Sequence, residues 1–239
     1  MRMPVIMGVI RRRILANFSA DPAVVRSFLP SPLCPKLVGG RAVVGVCLIR
    51  LEQIRPRRVP AALGISSENA AHRMAVTWVD ASGRTREGVY IPRRDTSSLA
   101  NVLAGGRLFR GEHHRAEFLV QDDGVEVDLT MRSQDGHANV SVRGSSTSAF
   151  HSELFASLDE ASEFFRGGSL GYSAREDGRC LDGVTLHTDA WKVAPMRLDR
   201  MDSSFFDRFP ANSVQFDCAL VMRDIPHEWH SEPDLVLAA

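Results

Sequence analysis

The chain has 239 residues, and its 29 basic and 29 acidic side chains give a formal net charge of zero at pH 7. A neutral chain argues against nucleic acid or an anionic membrane surface as a partner. Its 44% hydrophobic and 24% charged content is typical of a globular protein with a sizeable core.

The numbers and positions of the cysteines and lysines further limit the kind of protein and the chemistry it can perform. The four cysteines are scattered without a CxxC pair, which indicates a reduced protein and not a disulfide scaffold. The N-terminal segment has neither the charge order of a signal peptide nor the about 20 apolar residues of a membrane span. We therefore expect a cytoplasmic protein. Only Lys36 and Lys192 carry a side-chain amine, so lysine chemistry has two candidates.

The N-terminal part of the chain predicts four strands and two helices. The strands are 5–18, 42–51, 73–79 and 88–92. The second of them is β-branched and apolar almost throughout, which is typical of a strand buried on both faces. Asp21 is a suitable N-cap, and Pro22 a suitable first residue, for a short helix. Thr96 or Ser97 can cap a second helix that runs to about Leu103.

The C-terminal part predicts a meander, one helix and three further strands. Residues 116–143 alternate apolar and polar side chains and are divided by two Asp-Gly turns, which predicts three antiparallel strands. Ser157 and Glu160 form a capping box for a helix that Gly167 ends. The later strands are 183–188, 191–194 and 213–222. No repeat or linker interrupts this order, so we predict one domain over residues 1–239, of the α+β class and mainly antiparallel β.

The stretch from Glu68 to Arg115 holds the residues best suited to chemistry. A glutamate near an imidazole, as in Glu68 and His72, can perform acid–base steps, because histidine titrates near neutral pH. Arg73 can hold a ligand carboxylate through two parallel hydrogen bonds. The same residues are also compatible with a purely structural Glu–Arg ion pair. Both interpretations remain open from the sequence.

Two other patterns leave alternatives open. IPHEWH at 225–230 would place two histidines on one helical face, for packing, an interface or a metal. RRD at 93–95 can bind an anion or form a salt-bridge network.

Motifs over most of the chain resemble the DUF2071 (YqjF-like) family, within the acetoacetate decarboxylase-like superfamily. These motifs are RRRILANFSADPAVVRSFLPSPL at 11–33, GGRAVVGV at 39–46, SENAAHR at 67–73, GVYIPRRDTSS at 88–98, GGRLFRGEHHRAEF at 105–118 and SFFDRFP at 204–210. The resemblance implies an acetoacetate decarboxylase-like β-barrel with a few flanking helices and a largely apolar central pocket.

The resemblance also implies a site. In the decarboxylase a pocket lysine forms a Schiff base with a β-keto acid, a second lysine lowers its pKa, and an arginine and glutamates complete the site. Arg11 falls at the arginine, Glu68 near the catalytic glutamate, and His113 and His114 at the two lysines. Histidine forms no stable Schiff base with a ketone. We therefore expect a pocket for a small organic acid or carbonyl compound without Schiff-base lysine chemistry.

Six residues are the resulting candidates. Those for catalysis are Glu68, His113 and His114, and those for ligand binding are Arg11, His72 and Arg73. Adjacent residues of a strand point to opposite faces, so only one of the two adjacent histidines can face a pocket. For His113 and His114, two alternatives to a role in the pocket remain open: no functional role, or a role as a metal ligand.

Two alternative functions stay open: a non-catalytic ligand-binding or regulatory module, and a metalloenzyme that uses His72 with the 113–114 pair. We assign no cofactor and no metal. The expected partner is a small-molecule ligand, with no nucleic acid and no membrane, and a homo-oligomer is left open.

Overall fold

The computed structural model describes residues 4–99, 112–174 and 179–237. Within these ranges the chain forms one sheet with two α-helices and two short 3-10 helices at Ala61–Leu63 and Ser204–Arg208. The strands are β1 Ile6–Ala20, β2 Cys34–Pro35, β3 Leu37–Val38, β4 Arg41–Pro56, β5 Ile65–Val79, β6 Thr85–Thr96, β7 His114–Asp122, β8 Glu126–Ser133, β9 Asn139–Ser146, β10 Leu170–Ala174, β11 Cys180–His187, β12 Ala194–Ser203 and β13 Val214–Val236. The helices are α1 Pro22–Phe28 and α2 Leu158–Gly167.

The pairings of the described strands close into two rings. The first, the nine-strand ring, runs through β6, β7, β8, β9, β12, β13, β1, β4 and β5, and β5 pairs back to β6. The second, the seven-strand ring, runs from β13 through β1, β4, β5, β6, β10 and β11, and β11 pairs back to β13. The pairs β6–β7 and β6–β10 are parallel, and the other pairs of both rings are antiparallel. The predicted fold class, mainly antiparallel β with a few helices, is confirmed.

Five strands belong to both rings: β13, β1, β4, β5 and β6. Each of them presents one face to each ring, so both faces are covered. In β4, every residue from Ala42 to Leu48 is buried, as the apolar run predicted. On the nine-strand side, Ile14, Val46 and Leu48 pack with apolar residues of β8 and β9. On the seven-strand side, the same strands pack against α2.

The helices form where their caps predict. The Asp21 carboxylate accepts hydrogen bonds from the N–H groups of Ala23 and Val24 at 2.7 and 3.3 Å, which starts α1. The Ser157 hydroxyl accepts a hydrogen bond from the Glu160 N–H at 3.1 Å, which starts α2. The Glu160 carboxylate accepts from the N–H of Ala156 instead of the cap residue's own N–H. None of the helices in the described part of the chain is long and apolar enough to cross a membrane.

Several strands are longer than their local patterns predict. β5 starts at Ile65 instead of residue 73, because both of its edges pair with neighbouring strands. β13 continues to Val236, so 225–230 is extended, and the helical face expected for its two histidines does not form. The strand expected at 191–194 lies instead at Ala194–Ser203. The meander at 116–143 is confirmed as β7, β8 and β9. Residues 100–103 of the helix expected after Ser97 lie outside the described residues.

Candidate functional site

The seven-strand ring encloses a cavity of about 120 Å³. Each of its seven strands contributes to the lining, together with the segment that follows α2. The lining residues are Ile10, Arg13, Cys47, Ile49, Leu51, Asn69, Ala70, Ala71, Arg73, Val89, Ile91, Arg94, Asp95, His113, Gly168, Ser169, Gly171, Val184, Leu186 and Trp229. Most of this surface is apolar, and three arginines interrupt it.

Strand alternation decides which polar residues reach the cavity. In four pairs of adjacent residues, one member lines the cavity and the other points elsewhere. The cavity members are Arg13, Arg73, Arg94 and His113, and their respective neighbours are Arg12, His72, Arg93 and His114. Because the shared strands separate the two rings, Arg12, His72 and Arg93 fall on the side of the nine-strand ring. His113 instead precedes β7, which begins at His114 and belongs to the nine-strand ring alone.

Two β-bulges adjust this alternation. Between Ile10 and Arg12, β1 has one more residue than β4, so Arg11 is the extra residue. Between Tyr90 and Arg93, β6 has one more residue than β5. Each bulge shifts the alternation by one position, so Ile10 and Arg13 face the cavity although three positions separate them. The same shift brings Arg94 to the cavity together with Ile91.

Arg13 and Arg73 contact uncharged groups. The Arg13 Nε donates to the Cys47 sulfur at 3.1 Å, and the guanidinium lies 6.0 Å from the centre of the Trp191 ring. The Arg73 Nη2 donates to the side-chain oxygen of Asn17, and the guanidinium lies 4.8 Å from the Phe165 ring centre. The Arg73 Nε has no acceptor among the described residues.

Gly45 makes the position of Arg73 possible. It lies between Asn17 of β1 and Arg73 of β5 in the paired strands. A Cβ at this glycine would meet the carbonyl oxygen of Ala16 well inside van der Waals contact, and would lie 3.3 Å from the Arg73 Nη2. The absence of a side chain therefore lets the guanidinium cross β4 to reach Asn17.

Arg94 is the third arginine that lines the cavity. Its Nε donates to the Ser173 hydroxyl at 3.0 Å. Burial lowers the pKa of Arg94 to about 10, against the smaller effects of Cys47 and Asp182, which raise it. Burial likewise lowers the pKa of Arg73 to about 10. Both guanidinium groups are still protonated at neutral pH.

Asp95 does not neutralise these charges. It lines the cavity, but its two oxygens accept hydrogen bonds from Arg93 at 2.8 to 3.2 Å. Arg93 also forms an ion pair with Asp135 at 2.8 Å. Among the described residues, none of the three cavity arginines forms an ion pair with a carboxylate. The cavity is therefore an apolar chamber with excess positive charge, which favours a small anion.

The structure brings two of the six sequence candidates, Arg73 and His113, to this cavity. Arg11 is 51% exposed in its side chain and pairs with Glu52 and Asp224 at 2.9 and 2.7 Å, because the bulge turns it outwards. Its outward position departs from the expectation that it reaches into the pocket.

Glu68 lies on the opposite side of the sheet. Its carboxylate pairs with Arg12 at 2.6 Å, and Arg12 also reaches Asp122 at 3.1 Å. Burial raises the pKa of the Glu68 carboxyl, and the attraction of Arg12 and Arg50 opposes the rise. This is the structural Glu–Arg pairing that the sequence left open, although its partner is Arg12 and not Arg73.

The remaining two histidines also lie away from the cavity lining. His72 is fully buried, stacks on Phe205 with ring centres 4.5 Å apart, and contacts the Ser203 hydroxyl at 3.0 Å. Burial, followed by repulsion from Arg93 and Arg208, lowers its pKa to about 3, so the imidazole is neutral. His114 lies 3.2 Å from the Asp135 carboxylate. The catalytic and ligand-binding roles assigned to these residues stay predictions.

Neither lysine lines the main cavity. The Lys36 amine pairs with Glu87 at 2.7 Å and lies 4.3 Å from the centre of the Phe164 ring. It borders a separate small pocket of about 20 Å³ that shares Arg13 and Arg73 with the main one. Lys192 is exposed. Among the described residues, no three histidine, cysteine or acidic side chains are grouped as metal ligands would be.

Sequence reasoning missed Arg13 and Cys47 as cavity residues, and it left RRD at 93–95, which contains Arg94, open between anion binding and a salt-bridge network. The motifs RRR at 11–13 and PRRD at 92–95 did mark the correct strands. Choosing the correct arginine within each motif requires the positions of the two bulges, which only the pairing of neighbouring strands reveals.

Fold and site together define a β-rich, two-ring protein with an internal, mostly apolar cavity. The chain belongs to the DUF2071 family, described as an uncharacterized conserved protein, which matches residues 9–226. No curated protein matches the chain.

Solved structures of acetoacetate decarboxylase-like proteins share the fold. An acetoacetate decarboxylase from Legionella pneumophila has a TM-score of 0.62 at 10% identity, covering 99% of this chain and 88% of that one. An acetoacetate decarboxylase-like enzyme from Sphingomonas wittichii RW1 has a TM-score of 0.58 at 12% identity, covering 100% and 94%. The enduracididine biosynthesis enzyme MppR, complexed with pyruvate, has a TM-score of 0.53 at 12% identity, covering 100% and 91%. At these identities the similarity establishes the fold alone.

Proposed function

We propose that this protein binds a small organic acid in the cavity of the seven-strand ring, through Arg13, Arg73 and Arg94, without a Schiff-base lysine. One observation carries the proposal: three guanidinium groups border one apolar cavity, and their hydrogen bonds to described residues reach only a thiol, an amide and a hydroxyl. Burying a charge without a counter-charge costs free energy, and a bound carboxylate would supply that counter-charge.

The dimensions support a ligand of a few heavy atoms. The cavity volume of about 120 Å³ is close to that of an engineered cavity of about 150 Å³ that binds benzene. The surface around the arginines is formed by aliphatic side chains such as Ile49, Ile91 and Val184. An acid with a short apolar end therefore matches both the charge and the remaining surface.

Two variants on the same strand, β1, test the anion site. Pyruvate binding is measured by isothermal titration calorimetry for the wild type, Arg13→Gln and Arg11→Gln, with acetone as the ligand that lacks a carboxylate. Arg13→Gln should weaken pyruvate binding about tenfold or more, because a charge-assisted hydrogen bond is lost. Arg11→Gln should bind like the wild type, since Arg11 points outwards, and acetone should bind far more weakly than pyruvate. Equal losses in both variants, or no pyruvate binding by the wild type, would contradict the proposal.

The same samples report on turnover and on lysine chemistry. NMR of the pyruvate solution over time separates a ligand-binding module, which leaves pyruvate unchanged, from an enzyme, which converts it. Borohydride added with pyruvate should leave the protein mass unchanged. A reduced adduct on Lys36 or Lys192 would overturn the statement that no Schiff-base lysine takes part.

A further inference from the structure

We propose that Cys47 is a nucleophile for a carbonyl group held in this cavity, so that its ligand is a small 2-oxo acid bound as a reversible thiol adduct. The inference rests on the proposed function and narrows it, from organic acids in general to acids with a carbonyl beside the carboxylate.

The position of Cys47 supports this role. It lies on β4, lines the cavity and is 3% exposed. Its sulfur accepts a hydrogen bond from the Arg13 Nε at 3.1 Å, so a group that would hold the ligand carboxylate also contacts the thiol. The described lining also contains the carboxylate of Asp95, which is held in an ion pair with Arg93. A thiol is intrinsically the stronger nucleophile of the two.

An independent observation indicates that a ligand belongs beside this thiol. Arg73 is 4% exposed and lines the same cavity, yet its Nε has no acceptor among the described residues. A buried guanidinium N–H without an acceptor is costly. A ligand carboxylate or carbonyl oxygen would satisfy it, which places the oxygen-rich end of the ligand on the Arg73 side of the chamber that also holds Cys47.

The step needs no further reactant. The sulfur of Cys47 adds to the carbonyl carbon, a C–S bond forms and the C=O π bond breaks. The thiol proton ends on the former carbonyl oxygen, and the product is a hemithioacetal from an aldehyde or a hemithioketal from a ketone. Negative charge develops on that oxygen during the addition, and guanidinium groups fixed in an apolar cavity stabilise such charge.

Glyoxylate and glycolate are the matched probes. They have the same carboxylate and number of heavy atoms, but only glyoxylate can offer a carbonyl. The test uses a Cys34→Ser/Cys180→Ser background, which removes the thiols that are not buried. With glyoxylate labelled with ¹³C at its aldehyde carbon, NMR should show one saturable, protein-bound sp³ carbon distinct from the free hydrate.

Adding Cys47→Ser should abolish that resonance and weaken glyoxylate binding about tenfold or more, while glycolate binding changes less than about twofold. Retained glycolate binding also shows that the variant is folded. A bound-carbon resonance that survives Cys47→Ser, or that never forms, would overturn the nucleophile and leave the anion site intact. Failure of both acids to bind the background protein would overturn the anion site and the nucleophile together.

Discussion

Two sets of buried or half-buried arginines lie on the shared strands and differ in what surrounds them. Arg12 faces the nine-strand ring, where Glu68 and Asp122 neutralise it at 2.6 and 3.1 Å. Arg13, the next residue, faces the cavity and donates to the sulfur of Cys47. Arg93 and Arg94 repeat the contrast, because Arg93 pairs with the carboxylates of Asp95 and Asp135, whereas Arg94 donates to the Ser173 hydroxyl.

The difference separates a structural charge from a binding charge. A guanidinium that its own chain neutralises has little attraction left for a ligand, whereas one held by neutral groups keeps its charge available. In this fold, both kinds come from neighbouring residues, because the shared strands expose one face to each ring. Removing an arginine that pairs with a carboxylate should therefore reduce stability more than binding. Removing an arginine that borders the cavity should reduce binding more than stability.

The largest expected effect follows from Arg12→Gln. The Arg12 side chain is 3% exposed, and its loss leaves Glu68, among the described residues, with only the 4.0 Å ion-pair contact to Arg50. Removing one partner of a buried ion pair leaves an uncompensated charge, so we expect a loss of roughly 3–5 kcal/mol in the free energy of unfolding. Urea denaturation followed by circular dichroism measures this loss.

The adjacent variant Arg13→Gln provides the comparison. It removes no ion pair among the described residues and relieves repulsion of Arg73, so its unfolding free energy should change by less than about 1 kcal/mol. If Arg13→Gln destabilises the protein as much as Arg12→Gln does, the distinction between a structural and a binding arginine fails.

Gly45→Ala should have an intermediate effect. The added Cβ would collide with the Ala16 carbonyl and approach the Arg73 Nη2. Overpacking of this kind costs about 2 kcal/mol, and it should also weaken pyruvate binding by displacing Arg73. Chemical denaturation and calorimetry measure the two effects.

Gly168→Ala is the matched control for stability. A Cβ there would come no closer than 3.5 Å to any neighbouring atom outside its adjacent residues, so the unfolding free energy should be nearly unchanged. Wild-type stability in Gly45→Ala would show that the strands separate to admit a side chain, and that Arg73 does not depend on this close approach.

The fold was largely predictable because its signals are local. The alternating residues 116–143 with their two turns predicted the meander, and Ser157 with Glu160 predicted the start of α2. The length of β5 and β13 was not predictable in the same way. Their ends, at Ile65 and Val236, depend on pairing with strands distant in the sequence, which supply hydrogen bonds to segments of weak local pattern.

The site was predictable only in part, for the same reason. The resemblance and the residue types selected Arg73 and His113, and both border one cavity, while their roles stay predictions. Carrying over an arginine by ungapped register selected Arg11, but the bulge in β1 makes Arg13 the residue that faces the cavity. A bulge depends on two paired strands at once, so a single strand's sequence does not locate it.

The smallest effect concerns His72, the neighbour of Arg73 that lies on the neutralised face. Burial, with Arg93 and Arg208 nearby, holds its pKa at about 3, below the ordinary value of 6.5. As the pH falls, His72 therefore becomes protonated in the unfolded chain at a higher pH than in the folded protein. The stability due to the neutral imidazole is fully present above pH 6.5 and is lost progressively between pH 6.5 and 3.

His72→Phe should keep the stacking on Phe205 and remove this pH dependence. At pH 5.5 the wild type should have lost about 1.4 kcal/mol, relative to pH 7.5, through His72 alone, and the variant should lack that contribution. The buried His227, whose pKa is lowered to about 4 by burial, adds its own loss in both proteins. His137→Gln, at an exposed position, is the control for removing a histidine, and its unfolding free energy at pH 7.5 should match that of the wild type. Equal pH profiles for wild type and His72→Phe would show that the nine-strand side accepts an imidazolium that has no carboxylate partner there among the described residues.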